Sequence, residues 1–573
     1  MMLKCARLLC VAAALMVAGC GMPEDWSNPK YVEREMSRGN PRAFHAFQEG
    51  DEDLRRALVP ALIDVYNSNQ NQREALRALL SAPDERAIPV FRNALMRSDD
   101  ALAVFGARGL AAVGDGSAAP DIAQRMGAIT EGNAYVPFIE SLVTLRAEGV
   151  ADAVANVITR PAARIGGVDT VRVGCDLIGG TANPSRAALD AIVFGLVNLQ
   201  PQPYDDAMRN CELAILAHAD AARPSVIQLF TGENTRAMDH IQSLGLSTAA
   251  ARMRGAMVLA RQRNSEANNA IRDWFRQRQV VPTSELGTMN LQQQQAWYDN
   301  HGQLFDIATK ALAYERNPED LALLRSLEAP GQGNLLDNFS SWFALSEGAE
   351  LGLRQSVHAA LAGIAGDAEK TLLWQRVESG DIGRGGQQTD TMFHLNTMHI
   401  VGRIARRGDL ARYDRGVRAQ PERWRNEFRT LIGYFLVGEH CGDDIACRGD
   451  ILRDPSPVMD HPRVAQLLES EEEGTPRTNL RNGIRWAAFT GALWQAVLLD
   501  DGDAGCSIAI RQLDHGEVPI RNIAPETLYF CRAFPADAGE RLDDWLDRSR
   551  ALAGAGGVSE LRHVVTVLRR QLP

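Results

Sequence analysis

The chain predicts an all-α fold, an α-solenoid of stacked antiparallel helical hairpins. Three observations carry that expectation. Hydrophobic residues make up 45% of 573 positions while aromatics reach only 6%, a mixture that suits close-packed helices better than sheet. An apolar pattern recurs at a fixed interval of 31 residues. Gly-Asp pairs follow apolar helical text at Gly114-Asp115, Gly366-Asp367 and Gly408-Asp409, as tight corners would require.

The repeat is clearest over residues 87–157. Ala87-Ile88-Pro89-Val90-Phe91 opens one unit, Ala118-Ala119-Pro120-Asp121-Ile122 the next, and Gly149-Val150-Ala151-Asp152-Ala153 a third. Phe91, Ile122 and Ala153 match, as do Leu95, Met126 and Val157, and their spacing of four places each pair on one helix face. A second helix runs between the first two, over residues 100–113, with Leu102, Phe105, Leu110 and Val113 turned inward and Ser98 as its cap. The glycine of each Gly-Asp corner supplies a left-handed residue, and the aspartate is expected to cap the following helix. Looser copies lie at residues 257–271 and 308–324.

These units resemble HEAT repeats, in particular the short alanine-rich bacterial kind grouped with phycobiliprotein-lyase HEAT-like repeats. The likeness is specific over residues 87–157, fair over 351–417, and covers most of 54–437. It implies a superhelix with a long binding surface and a protein partner. It implies no lyase activity, because a fold does not carry a function. The Trp-Leu-Gly-Tyr pattern of tetratricopeptide repeats is absent.

The N-terminus adds a compartment. Lys4 and Arg7 precede an apolar run over residues 8–17 that is too short for an ordinary membrane-spanning helix of about 20 residues. Val17-Ala18-Gly19-Cys20 follows. This resembles the bacterial lipoprotein signal, which implies cleavage before Cys20, lipidation of its thiol and a membrane partner through that lipid. Gly21, where aspartate would signal inner-membrane retention, implies the outer membrane, facing the periplasm or the cell surface.

The organisation expected is therefore a signal peptide over 1–19, a lipidated tether over 20–50, repeats over 51–276, a loop or insertion over 277–296, repeats over 297–452, a proline-rich acidic linker over 453–479 and a C-terminal helical cap over 480–573. The net charge of −11, two units lower once Lys4 and Arg7 leave, argues against a nucleic-acid partner. Six cysteines remain beyond Cys20, an even number suited to an oxidising compartment. Sequence proximity favours Cys441–Cys447, Cys506–Cys531 and Cys175–Cys211, with fifteen connectivities open. A metal site from His440, Cys441, Asp443, Asp444 and Cys447 is the alternative for the first pair.

No catalytic constellation and no cofactor motif emerges. The glycines at 380–386 fit neither phosphate-loop spacing, and His394 and His399 stand five apart rather than four. Residues 500–503 open like a calcium loop that Cys506 and the lack of a closing acid spoil. Arg448-Gly449-Asp450 reads as helix, and Ser356 beside His358 lacks a nucleophile's sharp turn. The function expected is a lipid-anchored scaffold that binds another protein. Arg252, Arg254, Arg261 and Arg263, or Arg403, Arg406 and Arg407, are either a face for an acidic partner or simply solvated. A rival reading, a ligand- or polysaccharide-binding module, needs Trp297, Tyr298, Trp342, Trp424, Trp486 and Trp494 to cluster. An enzyme on a solenoid frame needs polar residues converging in a pocket, whereas an open groove favours the scaffold.

Overall fold

The computed structural model describes residues 24–198, 206–276, 290–328, 347–379, 387–420, 428–471, 474–550 and 558–572. The expected signal peptide and Cys20 lie outside them. The described residues are helical and contain no strand. They divide into two compact units, Met1–Gly195 and Leu196–Pro573.

The first unit begins with α1 (Pro29–Ser37) and α2 (Pro41–Glu49). Asn28 and Asn40 cap them, accepting from the N–H of Lys30 and Arg42, and each helix starts on proline, whose missing N–H costs nothing there. Val32, Met36, Phe44 and Phe47 are buried. From residue 29 onward, the stretch expected as a tether is thus the first hairpin, because two Asn-Pro starts each precede an apolar face.

Nine more helices follow: α3 (Glu52–Asn67), α4 (Gln72–Ser81), α5 (Ile88–Leu95), α6 (Asp100–Ala112), α7 (Ala119–Gly127), α8 (Tyr135–Thr144), α9 (Ala151–Ile158), α10 (Val168–Gly180) and α11 (Arg186–Gly195). Helices α2, α4, α6, α8 and α10 pack each on the next in one row, and each is also paired with a neighbour in sequence. No hairpin can bury its apolar face alone, so the row supplies the core.

The repeat holds with one adjustment. Helix starts at 88, 119 and 151 give intervals of 31 and then 32, because α7 has 9 residues where α5 has 8; α8, at 10 residues against 13 in α6, is offset by a longer segment before it. The third copy therefore buries Val154 and Ile158 where Phe91 and Leu95 stand in the first, and Ala153 is only half-buried. In α6 Leu102 and Leu110 are buried while Phe105 and Val113 are half-buried. Its cap is Asp99, not Ser98, since Asp99 holds the extended residue just before the helix and accepts from Ala101 and Leu102 N–H.

Gly114, Gly366 and Gly408 take left-handed φ of 73°, 61° and 93°, as the corners require. Their aspartates do not cap the next helix. A 3-10 turn or the helix itself starts at once, which turns each carboxylate to a neighbouring repeat: Asp115 pairs with Arg92 at 2.8 Å, Asp367 with Arg406 at 2.7 Å and Asp409 with Lys370 at 2.7 Å.

The second unit runs α12 (Asp206–Ala217), α13 (Ala219–Thr231), α14 (Thr235–Ser243), α15 (Thr248–Gln262), α16 (Ser265–Arg276), α17 (Leu291–Glu315), α18 (Asp320–Glu328), α19 (Glu347–Ala365), α20 (Lys370–Ser379), α21 (Gln387–Gly402) and α22 (Asp409–Ala419). It continues through α23 (Ile432–Cys441), α24 (Ile445–Arg453), α25 (Ser456–Met459), α26 (Pro462–Glu469), α27 (Thr475–Leu498), α28 (Ala504–Arg511), α29 (Val518–Leu528), α30 (Ala538–Ser549) and α31 (Val558–Arg569). An inner row, α13, α15, α17, α19, α21, α23 and α27, packs in chain order and continues through α29 to α31, which returns to α12. The row closes on itself, so the C-terminal helices complete a ring rather than cover the end of a row.

Two expected boundaries move. Residues 453–479 are not a linker: α25 and α26 lie within them and α27 starts at Thr475. Pro457, Pro462 and Pro476 all sit in first turns, where proline favours a helix, and Glu471 of the acidic run is ion-paired with Arg429. The segment expected as a loop over 277–296 is helical from Leu291, its glutamines being good helix formers; residues 277–289 lie outside the described ones.

Cys441 and Cys447 form a disulfide that joins α23 to α24, which uses both sulfurs of the alternative metal site. Cys506 and Cys531 form another, with Cα atoms 5.7 Å apart. Cys175 and Cys211 are each buried and in the disulfide state.

Two stability predictions follow from the first unit. Gly106 lies where α6 crosses α5, and a Cβ there would stand 2.4 Å from Leu95 N and 2.6 Å from Phe91 O, backbone that cannot step aside. Gly106→Ala should cost about 1–3 kcal/mol in urea unfolding despite alanine's better helix propensity. Asp100 accepts from Arg125 at 2.5 Å, from the Thr130 and Glu131 N–H groups at 2.9 Å and from the Thr130 hydroxyl at 2.8 Å. Burial opposes the charge, but the Glu131 and Thr130 N–H groups, then the Thr130 hydroxyl and Arg125, outweigh it and hold the carboxyl at about 2 against an ordinary 3.8. A depressed carboxyl stabilises the fold above its unfolded value and stops doing so as pH falls through its folded one. Asp100→Asn should therefore cost about 2 kcal/mol near neutral pH, and the gap should close between 3.8 and about 2. Urea melts at stepped pH read both.

Candidate functional site

The ring of the second unit leaves a cavity of about 530 Å³ between its inner helices. Six of its helices turn residues into it. Asp306 and Lys310 come from α17, four apart. Gln355, Ser356 and Ala359 come from α19. Asn396, His399, Ile400 and Arg403 come from α21 and its C-terminal end, at helical spacings of three, four and seven. Trp486, Thr490 and Trp494 stand one turn apart on α27, while Tyr434 and Glu526 come from α23 and α29.

Charge in the cavity is balanced between Asp306 and Glu526 on one side and Lys310 and Arg403 on the other. Asp306 uses both oxygens, one accepting from the Ser356 hydroxyl at 2.8 Å and one paired with Lys310 at 3.0 Å. Burial alone would lower the Lys310 ammonium, but Asp306 and Glu526 raise it above its ordinary range and keep it charged. Asn396 donates to Gln355 at 3.1 Å. Arg403 lies over the Trp494 ring at 4.6 Å, and its Nε is buried without a partner. Glu526 is exposed and makes no ion pair among the described residues.

His399 and Tyr434 meet at the wall, Nδ1 and the phenol oxygen 3.3 Å apart. Burial, then Arg403, pushes the imidazole down to about 4, and burial pushes the phenol up to about 12. At neutral pH both are uncharged, and they act together as a hydrogen-bonding pair. A narrow annex of about 30 Å³ opens below, lined by Ala313, Ala360, Gly363 and Phe530. A Cβ on Gly363 would stand 2.6 Å from the Phe530 ring and fill it.

Of the six aromatic residues singled out in the sequence, the cavity gathers Trp486 and Trp494. Trp342 and Trp424 lie outside the described residues, as do the side chains of Trp297 and Tyr298. Ser356 donates to Asp306, whereas His358 is fully buried with Nδ1 3.4 Å from the Thr397 hydroxyl, so the two form no nucleophile–base pair. Arg448 of the Arg-Gly-Asp triplet is buried in α24 and donates to the Asp444 and Gly442 carbonyls. The Asp500 carboxylate accepts from Gly502 and Gly505 N–H, as a helix junction does. The glycines at 380–386 are outside the described residues. Among those described, no group of three or more His, Cys, Asp or Glu is placed to hold a metal.

Of the arginine-rich text, Arg407 is exposed, as the solvated reading expected, while the others are turned inward or paired. Arg252 and Arg254 are buried and donate to the Phe230 and Leu196 carbonyls, and Arg261 pairs with Glu212 at 2.6 Å. Arg406 joins the corner aspartates, and Arg403 enters the cavity. Reasoning from sequence missed Asp306, Lys310, Gln355, Asn396 and Glu526. The signal available was polar residues recurring at three and four on helices whose remaining faces are apolar, the mark of a helix that touches core on one side and a solvated interior on the other.

Neither a family model nor a curated protein matches the chain. Among solved structures it is similar to a chain in one concerned with Kap95p binding to RanGDP, at 10% identity and a TM-score of 0.32, covering 95% of this chain and 78% of that one. It is similar to the same degree to a chain in the Kap95:Nup1 complex, at 9% identity and a TM-score of 0.32, covering 93% and 77%. A likeness this distant says nothing of what the present chain binds.

Proposed function

We propose that the protein is a lipid-anchored α-solenoid scaffold of the bacterial envelope that engages another protein. The observation that carries the reading is the row of hairpins in the first unit, five helices laid side by side, which offers the extended surface that helical repeats use for partners. The kinship to HEAT-like repeats and the lipobox at residues 17–20 belong to the same proposal. Acylation of Cys20 would hold that surface at a membrane and raise its effective concentration there. No helix among the described residues is long and apolar enough to cross a bilayer.

A second reading, a ligand-binding module, is favoured by the cavity of the second unit, where polar groups and two tryptophans converge. The two readings use different units and are compatible.

Cys20→Ser should abolish palmitate labelling in cells and move the protein out of the membrane fraction. Crosslinking in intact cells, followed by recovery from membranes, should yield one stoichiometric protein partner. A labelled, membrane-bound serine variant would remove the anchor from the reading, and recovery of the chain alone would remove the scaffold.

A further inference from the structure

We propose that the cavity of the second unit is a saccharide-binding site, in which Trp486 is the platform for a sugar ring and Glu526 and Arg403 hold its hydroxyl groups. The proposal deepens the ligand-binding reading and rests on it. It depends on neither the lipid anchor nor the protein partner.

Trp486 is the first part of the argument. Trp274, Trp374, Trp494 and Trp545 are all buried, whereas Trp486 keeps 38% of its surface exposed on a helix whose next two turns toward its C-terminus are core. Trp494, two turns along the same stripe, has its face covered by Arg403 and its edge against Phe530. Trp486 is therefore the aromatic surface at the cavity still open to a flat, weakly polar ring. The C–H face of a pyranose is such a ring, with the positive edges that an indole face attracts.

The second part is the set of hydrogen-bonding groups not yet used. Each Asp306 oxygen already has a partner, in Ser356 or Lys310, whereas the Glu526 carboxylate of α29 makes no hydrogen bond or ion pair among the described residues. Among the described residues the Arg403 side chain donates to nothing, although it lines the cavity and its Nε is buried without a partner. A free acceptor and a free donor fork facing one volume can both be satisfied by vicinal hydroxyls, which donate and accept at once. The Asn396–Gln355 amide pair adds two further groups that do both.

Charge and space exclude the nearer competitors. A phosphate or simple carboxylate would satisfy Arg403 but would also face Asp306 and Glu526, since the lining carries as many acids as bases. An amino acid or short peptide could pair with Arg403 and Glu526 but would leave the Asn396–Gln355 pair unused, and the annex of about 30 Å³, which Lys310, Arg403 and Glu526 also line, has no room for a side chain of any size. The main cavity, about 530 Å³, falls in the ordinary range for small-ligand sites.

The test uses the full-length protein, purified in detergent, and titration calorimetry with the neutral sugars chitotetraose, cellotetraose and maltotetraose, with trialanine as the zwitterionic probe. At least one tetrasaccharide should bind. Trp486→Ala and Glu526→Gln should each weaken it by about tenfold or more, the Glu526 variant with little change in melting temperature because that exposed side chain makes no hydrogen bond or ion pair among the described residues and acts on Lys310 only at longer range. The proposal is overturned if no tetrasaccharide binds at up to about 10 mM, or if both variants bind as the parent does. Tighter binding of trialanine, lost in the same variants, would overturn the saccharide assignment while sparing the ligand-binding reading. Failure of all four probes counts against both.

Discussion

The second unit depends on how its ring is closed. A row of hairpins leaves an apolar face open at its end, and here the chain covers that face by returning to its own beginning. Buried arginines make the return specific. Arg316 is 7% exposed and donates to the carbonyls of Val497, Leu498 and Phe530, at 3.3, 3.0 and 2.9 Å. Those carbonyls stand at the C-terminal end of α27 and just beyond that of α29, where helices leave acceptors unpaired and carry partial negative charge. A planar five-donor fork suits three such acceptors as an ammonium would not. Burial lowers the guanidinium to about 9, which still leaves it charged at neutral pH. Arg263 does the same for the Cys531 carbonyl, and Arg261 with His563 brackets Glu212 where α31 meets α12.

Both Arg263 and Arg316 end their helices in the left-handed region, at φ 47° and 56°. Glycine would avoid a cost of roughly 1–2 kcal/mol at such a position. Arginine is placed there because the corner that stops α15 or α17 is also the point from which a long side chain reaches the returning helices. In the corners that do use glycine, the work passes to the neighbouring aspartate, which pairs with a cation of an adjacent helix or corner. Pairs as exposed as Arg92–Asp115 are worth little in isolation. Their weight lies in register, because each ties one turn of one hairpin to a fixed turn of the next.

The parts of this architecture legible in the sequence were the ones governed by local rules. The apolar period over 87–157, the left-handed glycines and the helix-forming composition are properties of single hairpins, and they specified all-α stacking. The closure of the ring was not legible, because Arg316 and the Val497 carbonyl are 181 positions apart and nothing in either segment names the other. Prolines 457, 462 and 476 misled for a related reason. A proline that starts a helix and one that interrupts a loop look alike until the next turn's burial is known. The cavity was half legible: Trp486 and Trp494 stood out as rare residues, whereas Asp306, Gln355, Asn396 and Glu526 read as ordinary helix-surface polarity. Only closure separates an inward polar stripe from an outward one.

That separation also explains why a cavity forms in the second unit. Where helices pack in a row, each added hairpin can cover the last with apolar side chains. A closed ring of inner helices instead meets itself across a centre that Arg316 and the Tyr314–Tyr529 stack span in one part, and the residues facing the remaining space must tolerate water. Polar stripes on α17, α19, α21 and α27 meet the requirement, and their apolar flanks keep the ring together. Hydration alone would be met by any polar set. It does not call for a tryptophan held half-exposed, for a guanidinium stacked on an indole with its Nε shielded from solvent, or for a carboxylate that makes no ion pair among the described residues. Each arrangement raises the free energy of the empty cavity and lowers it once a ligand of matching shape takes the place of water, and that difference separates a binding site from a solvated gap.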